Sequence, residues 1–550
     1  MQLQFVDYAL IGIYFLFVIG VGLVAKMKVK TAGDFLLSGR STPLWIASLA
    51  FISANLGAQE LIGMCASGAK YGAMTAHFYW VGAIPAMLFL GLFMMPFYYG
   101  SRARSVPEYL ALRFDEKTRA FNALTFAIMT VFSSGVSLYA LAILLEALLK
   151  WDFNLCVFSA ALIVMAYTYV GGLTSAIYNE VLQFCLIVFG IAPVVVAGLA
   201  QIGGWDAITS TLPANMTHIW AYTGSAEANP MGVNAGSLIL GLGFFLSFGY
   251  WCTDYLVIQR AMAARSLGTA QTTPVIATFP KALLPIITIL PGLIAIVLLK
   301  TGASFAIPLK ADGRTDFDLT LPSLLAHYYP HGLLGIGLTA LLASFMSGMA
   351  GNVTAFNSVV VYDLYETFVK AKASDQHYLK VGKIVTILGI ALSIGTAYVA
   401  RGYNNIMDLL QLVFGFVNAP LFAVFLLGMS AKRPTGRGAF SGLMVGTACA
   451  FFAHGASIAE GKGGWLGFSL FHFSTAMAQS FFIAIVAFVV CFVVTIAVSF
   501  SSAARPESEL KGLVYGLTDE VSVKAPWYKA PGFYAIVATV VTLILNVLVW

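Results

Sequence analysis

The chain has 550 residues, 59% of them hydrophobic and only 10% charged, with a mean hydropathy of +0.87 and a formal net charge of +6. Soluble domains carry about 25% charged residues, so this composition excludes a water-soluble globular protein and assigns the length to a bundle of membrane helices. The basic excess is not a nucleic-acid footprint, because it is spread over short loops between apolar stretches.

A helix that crosses the hydrocarbon core needs roughly 20 mostly apolar residues. The first such stretch, 6–26, has no basic residue ahead of it and no small-residue cleavage site, which predicts a retained span rather than a signal peptide. Spans follow at 43–68, 76–99, 119–148, 154–170 and 175–201. A polar loop at 202–235 precedes spans at 236–259 and 274–300, and a second at 301–330 precedes 331–366, 380–400 and 404–429. Spans at 438–456, 479–503 and 533–550, with a hydrophilic loop at 501–532, complete fourteen. With the N-terminus outside, twenty-two Lys and Arg fall in inner loops and seven in outer ones, and Lys281 alone lies within a span. Cytoplasmic loops are enriched in Lys and Arg, so this split predicts both termini outside the plasma (inner) membrane. Asn215-Met216-Thr217 forms a glycosylation sequon on the predicted outer side, a short match that also arises by chance.

Two spans are interrupted. Ser53 to Glu60 places Asn55, Gly57 and Gln59 in the middle of the second span, and Ser247-Phe248-Gly249-Tyr250-Trp251 does the same in the seventh. Unsatisfied backbone in lipid costs several kcal/mol per group, so polar and glycine-rich breaks belong where a cavity solvates them. The breaks open two blocks of five spans, 43–201 and 236–429. Five is odd, so the second block is inverted relative to the first, and paired broken helices in inverted repeats point to a transport site at the midplane. Two unrelated glycine kinks are the alternative. Residues 1–42 form an extra helix and loop, and 430–550 form peripheral helices.

The ninth span carries a polar face of Ser344, Ser347, Gly348, Gly351, Asn352 and Thr354. Small residues allow close helix contact. Hydroxyls and freed carbonyls also suit a hard cation that takes oxygen ligands, and spacing does not choose between the two. Intramembrane charges are costly and mark function; here they are Glu60, Glu180, Asp254 and Lys281. Lys281 either donates hydrogen bonds to a solute or pairs with Glu60 or another carboxylate. Nothing predicts an enzyme. The seven His show no metal-ligand spacing, the six Cys all lie in apolar stretches, and no phosphate-binding loop is present.

Several segments resemble the solute:sodium symporter family, within it the sodium/glucose cotransporter-like branch. They are Phe35-Leu36-Leu37-Ser38-Gly39-Arg40-Ser41, Ser53 to Gly63, Val106-Pro107-Glu108-Tyr109-Leu110, Gly171 to Tyr178, Tyr250-Trp251-Cys252-Thr253-Asp254 with Gln259-Arg260, Leu342 to Ser347, and Gly428-Met429 with Arg433, Gly438-Ala439 and Gly442 to Gly446. The resemblance implies an all-α polytopic membrane protein of about fourteen transmembrane helices with a LeuT-like five-plus-five inverted repeat. It also implies sodium as coupling ion and alternating access for a small polar solute, a monosaccharide or polyol first. It places sodium ligands on the carbonyls of Ser53, Leu56 and Ser344 and the hydroxyl of Ser347, and departs at Gly348, where relatives carry a second hydroxyl. Asn55, Tyr250, Trp251, Lys281 and Gln411 match the sugar-branch site, with Ser247 a polar substitute. Glu60 stands where relatives have Gln or His, and Tyr79 where the sugar branch has Glu. Glu180 takes the place of an Asp on the ion path, which also admits proton coupling, and Asp254 lies with it. A carboxylate, amino acid or vitamin as solute, and a sodium-independent transporter or sensor on the same fold, are the other readings; oligomeric state is not legible.

Overall fold

The computed structural model describes residues 3–28, 42–302, 304–310, 313–403, 405–517 and 526–550; the Phe35–Ser41 segment and the side chains of 171–176 lie outside what is described. A bilayer offers no partner for a bare N–H or C=O, so apolar stretches close their hydrogen bonds within helices. The chain is an all-helical integral membrane protein. Nine described helices are long and apolar enough to cross a membrane, eleven when two sharply bent pairs each count as one. Three shorter apolar helices, Phe5–Val18, Phe153–Ala166 and Ser237–Thr253, occupy further stretches that the sequence marks as spans.

The helices that build the site run in order. After α1 (Phe5–Lys28) come α2 (Leu44–Asn55) and α3 (Gln59–Ala76), which meet at 58° across Leu56, Gly57 and Ala58. Leu56 leaves the helical region with ψ 45°, and its N–H falls back on the carbonyls of Ile52 and Ser53. Next are α4 (Phe78–Gly100), α5 (Val106–Arg113), α6 (Glu116–Leu149) and α7 (Phe153–Ile202). The helical assignment is continuous over α7, and within it the apolar helices Phe153–Ala166 and Asn179–Ile202 occupy the two spans marked at 154–170 and 175–201.

Then α8 (Ser237–Thr253) and α9 (Tyr255–Met262) follow. Here an expectation is corrected. Ser247 to Trp251 stay helical, and the chain breaks at Asp254, whose ψ is 113° and whose carboxylate accepts the Leu256 N–H at 2.8 Å. An Asp competes with the helix for its own backbone donors and caps the next one; Gly249 does not. A further bend of 45° separates α10 (Leu267–Leu283) from α11 (Pro285–Lys300), where Pro280, Pro285 and Pro291 cluster. Proline removes a backbone donor and kinks a helix.

The remaining elements are α12 (Thr320–Tyr328), α13 (Leu333–Glu366), α14 (Asp375–Arg401), α15 (Ile406–Ser430), α16 (Gly436–Gly455), α17 (Ala476–Phe500) and α18 (Pro531–Leu548). The loop after α16 folds a small sheet absent from the sequence expectation: β1 (Ser457–Ala459) pairs antiparallel with β2 (Lys462–Gly463) and parallel with β3 (Phe471–Phe473). Helices α13 and α15 are central, with 89% of their apolar windows buried, against 17% for α18, which is peripheral. Phe189, Val493, Phe500, Ile536 and Val547 project outward as lipid-facing side chains. Asp7 of α1 ties the ends together, accepting the N–H groups of Gly332 and Gly335 at the start of α13 at 2.7 and 2.8 Å.

Candidate functional site

The break between α2 and α3 ends on Asn55, so its side chain faces neither lipid nor helix ladder. Its Nδ2 donates to the Tyr250 hydroxyl at 3.0 Å, and its Oδ1 accepts from Lys281 Nζ. Lys281, one turn before the bend of α10, is fully buried and donates to Glu60 Oε1 at 2.7 Å. Glu60 Oε2 accepts from the Tyr79 hydroxyl, which also lies 3.0 Å from Thr288 Oγ1. The ammonium stands 4.6 Å from the Tyr79 ring centroid and 5.0 Å from that of Trp251. Gln59 Nε2 donates to the Tyr250 hydroxyl at 3.2 Å. Tyr250 and Phe414 pack at 5.0 Å between ring centroids, and Trp251 stacks on Phe51.

All eight solute-site candidates, Asn55, Glu60, Tyr79, Ser247, Tyr250, Trp251, Lys281 and Gln411, line one cavity of about 50 Å³. That volume holds a few waters and no pyranose, so a solute enters only when the walls part. Ser247 reaches it from α8 beside Gly82, and Gln411 from α15, where its amide points at the Met407 sulfur. Two polar residues outside the eight take part: Gln59 lines the cavity, and Thr288 adjoins it through Tyr79. Gln59 adjoins Glu60 in the break and was legible as such; Thr288, beyond the α10 bend, gave no signal.

The cation-seat candidates cluster on the other side of the break. Gly57 packs on α13: an ideal Cβ there lies 3.2 Å from Gly348 Cα and 3.9 Å from the Ser344 carbonyl oxygen. The Leu56 carbonyl, freed by the break, accepts from Ser344 Oγ at 2.6 Å. Ser53 Oγ and Ser347 Oγ are buried without a hydrogen-bond partner. A buried hydroxyl without a partner costs free energy, and a hard cation takes oxygen ligands of this kind; of the carbonyls expected as ligands, that of Ser53 accepts the Leu56 N–H at 2.9 Å and that of Leu56 the Ser344 hydroxyl. The donor set therefore fits sodium. Among the described residues no group of three or more His, Cys, Asp or Glu forms a metal site.

The two carboxylates expected on the ion path, Glu180 and Asp254, are both engaged. Glu180 of α7 forms a two-pronged pair with Arg260 of α9, at 2.5 and 3.3 Å, with both side chains buried. Asp254 caps α9. Bridges also join helices at both ends of the bundle. Toward the 301–330 segment, Lys70 of α3 reaches Asp408 of α15 at 2.8 Å and Glu460 beside β1 at 2.6 Å. At the opposite end, Arg119 meets Asp363 at 2.8 Å, and Tyr255 donates to the Arg104 carbonyl at 2.5 Å.

Several known proteins are similar to this chain. The chain is 26% identical over 464 residues to the sodium/glucose cotransporter of Vibrio parahaemolyticus, covering 82% of this chain and 85% of that one. It is 26% identical over 543 residues to sodium/glucose cotransporter 1 of Ovis aries, covering 93% and 81%. A solved Na⁺-coupled sialic acid symporter, in a substrate-bound outward-open state, shares the fold with a TM-score of 0.76 at 21% identity, over 91% of this chain and 99% of that one. The model of the Sodium:solute symporter family matches residues 35–446. By that match over three quarters of its length, this chain belongs to the sodium:solute symporter family, as a transporter and not an enzyme.

Proposed function

We propose that this sodium-coupled symporter takes up a neutral, hydroxyl-rich solute, a monosaccharide or polyol, at the Asn55–Lys281–Tyr250 cavity. The Lys281–Glu60 ion pair carries this reading. A free ammonium would favour an anion such as a carboxylate, amino acid or acidic vitamin. Here a carboxylate already neutralises it, so the cavity presents hydrogen-bond donors and acceptors with no net charge. Position 60 has gained a carboxylate and position 79 has lost one relative to the sugar branch, and the two departures offset each other beside Lys281. A buried polar site rejects a solute that leaves its groups unpaired, and hydroxyls serve an amide, an ammonium and a phenol alike. The named sodium/glucose relatives support the same class.

Each residue acts by position. Lys281, Asn55 and Gln411 donate to solute hydroxyls, Glu60 accepts from them, and Tyr250 presents an apolar ring face with a polar tip. Sodium, when bound, supplies the positive charge that holds α2 and α3 against α13. Ser53, Leu56, Ser344 and Ser347 are the groups that would hold it. Alternating access then requires the Lys70–Asp408 bridge and the Arg119–Asp363 bridge to part in turn. With twenty-two basic residues assigned to the inner loops, the Lys70 end faces outside and both termini lie there. Residues 43–201 and 236–429 act as the two inverted blocks. Uptake of labelled monosaccharides into proteoliposomes, with and without a sodium gradient, tests the reading. Accumulation that needs sodium and yields to polyols but not to amino acids or carboxylates supports it. Competition by carboxylates alone overturns the solute class.

A further inference from the structure

Helix α6 passes directly behind the break of the first interrupted span. An ideal Cβ on Gly348 lies 2.9 Å from Ser137 Oγ and 3.2 Å from Gly57 Cα. Ser137 thus puts a hydroxyl into the space a side chain at 348 would take, from a helix outside the four-residue seat described above. Its hydroxyl is spent on one long donation, to the Ser133 carbonyl at 3.3 Å, which leaves both oxygen lone pairs available. Beside it lies a cavity of about 10 Å³ lined by Gly57, Gln59, Ser133, Ser137, Gly348 and Asn352. A void of that size has room for one water-sized particle. The unpartnered hydroxyls of Ser53 and Ser347 belong to the helices that wall it.

We propose that Ser137 supplies a hydroxyl ligand to the sodium seat, replacing across space the hydroxyl that position 348 lacks. The inference rests on the seat assigned to Ser53, Leu56, Ser344 and Ser347 above. Hard cations take oxygen ligands and tolerate their origin on different elements. Glycine at 348 serves the same end, because any larger residue meets Gly57 backbone and the Ser137 hydroxyl. The seat then spans α2, α6 and α13, and ion binding fixes three helices.

The test is sodium-dependent thermal stabilisation of the purified full-length protein in detergent, against potassium and choline at constant ionic strength and without solute. Ser137→Ala and Ser137→Cys should each weaken the apparent sodium affinity about tenfold, a loss of roughly 1.4 kcal/mol, while Ser137→Thr stays within about twofold of wild type. Cysteine keeps the volume and removes the hard oxygen, so its titration decides the matter if the alanine variant fails to fold. Wild-type affinity in both Ala and Cys variants, with loss in Ser347→Ala, overturns the role of Ser137 and leaves the seat standing. Absence of any sodium-specific stabilisation in the wild type overturns the seat and Ser137 together.

Discussion

Lys281 of α10 and Glu60 of α3 meet 2.7 Å apart inside the bundle, both shielded from solvent, and the pair bridges an interrupted helix to a bent one. Breaking a buried pair from one side costs about 3–5 kcal/mol because a lone charge remains. Glu60→Gln alone should therefore lower solute uptake at least about tenfold. The double variant Glu60→Gln with Tyr79→Glu returns a carboxylate to Lys281 from α4 and should recover most of it. Uptake by the two variants at a fixed sodium gradient checks this; equal loss in both removes the pairing from the explanation.

Arg260 and Glu180 form the second buried pair. Arg260→Gln leaves a buried carboxylate alone and should cost about 3–5 kcal/mol. Adding Glu180→Gln should restore most of the melting temperature, since two neutral amides can bond each other. If the double variant is no more stable than the single, the pair is not what holds α7 to α9.

Lys70 joins α3 to α15 through Asp408 and to the small sheet through Glu460. Lys70→Ala should part these elements, and a cysteine introduced at Gln411 should then be alkylated several-fold faster from the side of the 301–330 segment. Unchanged alkylation would mean that apolar packing, rather than this bridge, closes that end.

Asp318 sits in the 301–330 segment, outside the spans, and accepts the Ile406 N–H at the start of α15 at 3.0 Å. Burial foremost, then the neighbouring Asp316, pushes its carboxyl from 3.8 up to about 7, with Lys310 opposing and Asp408 adding to the shift. A carboxyl raised on folding contributes stability that is full below about 4 and is lost as pH rises through about 7. Thermal stability in detergent should fall between about pH 4 and 7, and Asp318→Asn should flatten that slope. A slope unchanged in the variant assigns the titration elsewhere.

Apolar runs of bilayer length determined most of the fold, because lipid leaves a chain no other way to satisfy its backbone. The break at Leu56 was legible too, since Asn55, Gly57 and Gln59 make no sense in fat. The residues of the cavity were legible through family likeness, and all eight candidates meet in it. Three matters were decided only by tertiary structure. Lys281 had several buried carboxylates to choose from, and only the approach of α3 to α10 selected Glu60. The second interruption lies at Asp254, since whether a glycine bends a helix depends on its neighbours, whereas an aspartate can cap on its own. Ser137 stands 211 positions from Gly348 in the chain, and no pattern within one helix announces a hydroxyl supplied by another. Local chemistry sets where helices form and stop; which side chains face each other across them is set by how the helices pack.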